Sequence, residues 1–86
     1  MNFLLHCFDG PHVGKFLCEP GTWSEHPGAA RMRFPTAAAA LRHAKRVRLH
    51  LNGVQLVCEV PDGRYNILLP LGRSERRGLG TVRTIT

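Results

Sequence analysis

Cys7, His12, Cys18 and His26 bring two thiols and two imidazoles into the opening stretch of this chain, the ligand number that a tetrahedral zinc site takes. Their spacing argues against that use. Structural zinc sites draw ligands in close C-x2–4-C or H-x3–5-H pairs, and neither the two thiols nor the two imidazoles form one. A cysteine nucleophile needs a positioned histidine and a third group to orient it. No signature of that kind surrounds Cys7, Cys18 or Cys58, and His6, between Leu5 and Cys7, reads as a strand residue. Gly78-Leu79-Gly80 is too short for a dinucleotide fingerprint and follows no strand-to-helix unit. The expectation is therefore a chain without catalytic residues, without a metal and without a cofactor. The cysteines, odd in number and each in an apolar stretch, read as small buried hydrophobes in a reducing compartment.

With those chemistries set aside, charge is the strongest signal. The 86 residues carry a net charge of +6, unevenly spread. Residues 1–28 hold Lys15 against Asp9, Glu19 and Glu25, a net of −2. Residues 29–86 hold eleven Lys and Arg against Glu59, Asp62 and Glu75, a net of +8. Such asymmetry suits an acidic or polyanionic partner, and equally a merely solvated basic surface. Arg31 and Arg33, then Arg42, Lys45, Arg46 and Arg48, then Arg73, Arg76 and Arg77 supply charge that could neutralise phosphates. Exposed aromatics are not interleaved with them, as base-stacking modules require, and no helix-turn-helix spacing is present. Trp23, in a Pro- and Gly-rich loop beside Glu25 and His26 and apart from the main arginine run, either folds back over the core edge or stands out as an anchor at a protein interface.

These residues need elements to hold them. The length suits one small domain that buries about 60–65% of its unfolded surface. No apolar run approaches the roughly 20 residues that span a bilayer, and the first residues lack the basic region of a signal peptide, so a cytoplasmic location in the host cell is expected. Phe3–Phe8 reads as a buried strand, Asp9-Gly10-Pro11-His12 as a turn, and Val13–Cys18 as the returning strand. Glu19–Ala30 reads as the longest loop, and Arg31–Phe34 as a short strand with Met32 and Phe34 inward and both arginines outward. Thr36 is a good N-cap for a helix whose stripe is Ala37, Ala40, Leu41, Ala44, Val47 and Leu51. That unbroken stripe favours a helix reaching Leu51, closed by Asn52-Gly53. The alternation of Val47, Leu49 and Leu51 would instead end it near Arg46, with a strand at 47–51. Val54–Val60 and Tyr65–Leu71 read as a hairpin turning on Pro61-Asp62-Gly63-Arg64. Residues 72–86 follow as a basic tail or an added edge strand.

The order β-β-(β)-α-β-β predicts an α+β domain, a small antiparallel sheet of two hairpins with one helix packed on one face and the other face partly solvated. Arg33-Phe34-Pro35-Thr36 through Lys45-Arg46-Val47, followed by Val54–Val57 and Pro61-Asp62-Gly63-Arg64, resembles a plan found in very small bacterial and phage domains. In it a strand pair leads into a T-x-x-x-A-x-x-x-A helix, here with Ala40 and Ala44, and then a hairpin. Stand-alone chains of that plan include phage and mobile-element accessory proteins of the anti-CRISPR type. The resemblance implies a non-catalytic inhibitor that blocks a host nucleic-acid-handling complex. For a basic chain the implied contact is an acidic or nucleic-acid-contacting surface of the target. The alternative is a small domain that contacts nucleic-acid phosphates directly through the arginine-rich helix and tail.

Overall fold

The computed structural model describes residues 1–72 and the backbone of residues 84–85. The apolar run at the N-terminus forms β1 (Asn2–Cys7), whose residues 4–7 are all buried. A strand apolar on both sides belongs in the middle of a sheet, and β1 lies there. It pairs antiparallel with β2 (Phe16–Cys18) on one edge. On the other edge it meets β4 (Val54–Glu59) in a continuous register from Asn2–Glu59 to Cys7–Val54. β5 (Tyr65–Pro70) returns beside β4, and Thr84–Ile85 forms β6 against Tyr65 and Asn66. With β3 (Thr22–Ser24) outside β2, the sheet order is β3-β2-β1-β4-β5-β6, every pairing antiparallel. One helix, α1 (Ala37–Arg46), packs on one face, as the expected α+β class requires.

Four local expectations are corrected. The returning strand, expected over Val13–Cys18, is confined to Phe16–Cys18, with residues 11–14 in the turn. Residues 22–24, expected as loop, pair Trp23 opposite Leu17, because Glu19-Pro20-Gly21 makes a three-residue turn with Gly21 at φ +93°. A strand that short leaves no periodicity to read. Residues 31–34 make only two isolated bridges, Cys18 to Arg31 and Phe3 to Phe34, rather than a strand. The helix ends at Arg46, and neither a longer helix nor a strand occupies 47–51. Arg48 takes a left-handed backbone at φ +54°, its N–H bonding the Lys45 carbonyl while the Leu49 N–H bonds the Ala44 carbonyl. This pair of bonds is the Schellman closure, and Leu49 packs with Ala44 in the same core cluster to complete it. Gly53 serves elsewhere. Its φ is +78°, and a Cβ there would lie 2.4 Å from the Asp9 carbonyl oxygen, so the Asn52-Gly53 turn fits tightly against the end of β1.

The helix start is as expected, the Thr36 hydroxyl accepting from the Ala39 N–H at 3.1 Å. The buried stripe is narrower than the sequence pattern. Ala40 and Ala44 press on Leu5, Leu17, Val54, Leu56 and Phe34, with Ala37 beside them, whereas Val47 is 49% exposed and Leu41 lies on the flank outside the core cluster. Methyl side chains let the helix approach the sheet closely, so longer residues at its edges stay partly in water.

The second face of the sheet is buried too, against the expectation of partial solvation. Leu4, Phe16, Cys18, Val57 and Tyr65 form a second cluster there, with Ala29 and Ile67 at its margin.

Candidate functional site

The zinc-like quartet is dispersed. Alternation along β1 and β2 places Cys7 on the helix side of the sheet and Cys18 on the other. The Cys7 thiol donates to the Asp9 carbonyl at 3.0 Å and the Cys18 thiol to the Phe16 carbonyl at 3.4 Å. His12 stacks on Trp23, and the His26 ring accepts from the Gly28 N–H in its own loop. Among the described residues, no group of three His, Cys, Asp or Glu could hold a metal ion. His6 is buried on the second face, where its Nδ1 meets the Gln55 Nε2 at 3.0 Å and its ring lies 4.6 Å from that of Phe16. Burial first, and then the Arg31 charge, lower its pKa from 6.5 to about 4 against an opposing hydrogen bond to Gly14, which leaves the imidazole neutral at ordinary pH.

The arginines divide into two groups. Arg31, expected to point outward, turns back over the second cluster, its guanidinium carbon 4.0 Å from the Phe16 ring centre and 5.1 Å from that of Tyr65. It donates to the Tyr65 hydroxyl at 2.7 Å, and that hydroxyl donates to Glu59 at 3.2 Å. Arg33 closes the chain with a forked contact to Glu59, both nitrogens at 3.1 Å. The hydrogen bonds from Arg33 hold the Glu59 carboxyl below the usual carboxylate range. Both arginines of the 31–34 segment are therefore paired within the chain, Arg33 at its surface.

The helix group is different. Arg42, Lys45, Arg46 and Arg48 are exposed, and no described carboxylate forms an ion pair with any of them. The cause lies in the sequence, since no Asp or Glu occurs between Glu25 and Glu59. Helical spacing sets Arg42 and Arg46 on one flank with His43, and Lys45 on the other side of Arg42. On that flank Arg42, His43 and Arg46 line a shallow depression of about 480 Å³ floored by Phe34 and Ala39. Arg73, Arg76 and Arg77, the remaining sequence candidates, lie outside the described residues.

Trp23 is half-buried against the helix-side core, so it does cover the core edge. The pattern of the sequence separated it from the basic segment, yet the fold sets it in one depression with Leu49 and His50, just past the helix end. Two further features were not legible in advance: the buried His6–Gln55 pair and a His43 whose Nε2 is buried without a partner among the described residues. Strand alternation placed His6 on a defined face, but its partner came from a strand far along the chain. Among the described residues, no helix is long and apolar enough to cross a membrane. No protein family, no curated protein and no solved structure significantly matches this chain.

Proposed function

We propose that this chain is a non-catalytic binding protein, an inhibitor or accessory factor of the kind phages and mobile elements carry, which docks on an acidic surface of a host nucleic-acid-handling complex. The observation that supports this reading is the outer face of α1. Arg42, Lys45 and Arg46 stand exposed there on a rigid element, without carboxylate partners among the described residues. Side chains on a helix surrender less freedom on docking than side chains on a loose segment, so this face can carry affinity as well as speed encounter.

The test is a plasmid-interference assay in a bacterial host whose immunity complex destroys the targeted plasmid. The wild-type chain should restore transformation, and the Arg42→Glu/Arg46→Glu double variant should not. Direct contact with nucleic acid predicts a different result: binding of an isolated duplex that weakens steeply and linearly on a log–log plot against salt, by about 10³-fold between 50 and 200 mM for six contacts. Restoration by the double variant at wild-type level would remove the helix face from the function.

A further inference from the structure

Beside the basic flank of α1 runs a second depression of about 460 Å³, between the helix end and the β2–β3 turn. It lies within the roughly 300–1,000 Å³ range of ligand pockets. Leu17, Pro20, Met32, Val47 and Leu49 give it an apolar lining. His43 lines both depressions, so they adjoin across its side chain, with Arg42 and Arg46 on one side of this paired groove and Val47 and Leu49 on the other.

The state of His43 follows from its contact. The Arg46 guanidinium lies 3.3 Å from Nδ1, and a guanidinium can only donate. Nδ1 is therefore the acceptor in this contact, which assigns the ring proton to Nε2. That N–H is buried without a partner among the described residues.

We propose that this groove seats an acidic–apolar segment of a protein partner. An apolar side chain lies over Met32, Val47 and Leu49, and carboxylates reach Arg42 and Arg46. The proposal rests on the reading of the α1 face as the docking face and adds the chemistry of what docks. Charge complementarity selects the occupant. The basic end calls for carboxylate or phosphate, while the other half is lined mostly by apolar side chains and carries the Glu19 carboxylate, which repels a polyphosphate backbone. A protein segment meets both halves; a nucleic acid meets one.

The experiment is fluorescence anisotropy with the full chain and three labelled probes: a short peptide with a leucine pair between glutamates, the same peptide with serines in place of the leucines, and a single-stranded oligonucleotide of equal charge. The leucine peptide should bind about tenfold more tightly than the serine peptide, the ratio expected from seating one apolar side chain. Val47→Ser, at a position already half in water, should abolish that ratio while leaving the serine peptide's affinity and the melting temperature unchanged. Arg42→Glu/Arg46→Glu should weaken both peptides alike. Equal binding of the two peptides overturns the groove but leaves charge-driven docking standing. Peptide affinities indifferent to the charge reversal, or no detectable binding of either peptide, overturn the docking face itself. An oligonucleotide that outbinds both peptides assigns the face to nucleic acid and overturns the proposal.

Discussion

On the side of the sheet toward α1, Leu5, Leu17, Val54 and Leu56 meet the methyl groups of Ala40 and Ala44. On the other side, Leu4, Phe16 and Val57 share their surroundings with a guanidinium, a phenol and an imidazole. Both sides are buried, yet they are closed by different physics. The helix side is a dry contact held by removal of apolar surface from water, which is indifferent to pH. Among the described residues the second side has no helix over it, and Arg31 helps to close it by lying over two aromatic rings. Its charge is met by π faces and by the Tyr65–Glu59–Arg33 chain. The contrast explains which arginines remain available. Those near the second side serve the fold; those on α1, without an ion pair to any described carboxylate, do not.

The sharpest way to test the contrast is to remove a leucine from the dry side. Leu5 has no exposed surface, and Leu5→Ala should cost about 2–5 kcal/mol by chemical denaturation, enough to unfold much of so small a domain. Leu41→Ala, on the flank of the same helix and outside the cluster, should cost under about 1 kcal/mol. Similar losses at the two positions would mean that the dry contact is not centred on Ala40 and Ala44.

Removal of the guanidinium probes the second side. Arg31→Ala strips the cover from Phe16 and leaves the Tyr65 hydroxyl without its donor, so it should cost about 1–3 kcal/mol, well beyond the effect of Arg42→Ala. An Arg31→Ala protein as stable as Arg42→Ala would show that the second side is closed without it.

A pH titration separates the two sides directly. His6 is neutral in the fold with its pKa lowered to about 4, while the unfolded chain takes up the proton near 6.5. The unfolded state therefore binds more protons across that interval, and stability rises with pH. The contribution is fully present above 6.5, is lost as pH falls from 6.5 toward 4, and levels off below. Its size, allowing for partial solvent screening, is about 1–2 kcal/mol. In His6→Gln the slope between pH 6.5 and 5 should flatten; an unchanged slope would move its origin to another histidine.

The smallest expected effect is a gain. Arg48 holds a left-handed backbone that glycine adopts without a Cβ penalty, so Arg48→Gly should raise stability by about 0.5–1 kcal/mol in thermal melts. A loss would indicate that the Arg48 side chain contributes more than its backbone costs.

Much of this was legible in local chemistry. The Thr36 cap, the Pro61–Arg64 turn and the long apolar strands are decided by residues within a few positions of each other, and the fold places them as read. The helix end was not decided there: the stripe from Ala37 favoured Leu51, while the alternation of Val47, Leu49 and Leu51 placed the end correctly near Arg46 but followed it with a strand that does not form. The choice fell to Arg48, whose side chain is a poor signal for a left-handed residue, and to the packing of Leu49 beneath Ala44. The candidate site was legible as a list of cations but not as a surface. Composition alone determined that the segment between Glu25 and Glu59 is basic and without acids. Only the tertiary structure decided which of its cations are spent, since Arg31 and Arg33 meet Tyr65 and Glu59 across a separation in sequence that no local pattern spans. The same holds for Trp23 and Leu49, brought into one depression by the sheet register and the helix end. Local periodicity sets the face on which a side chain lies; the partner it meets there depends on which distant strand the closed sheet brings alongside.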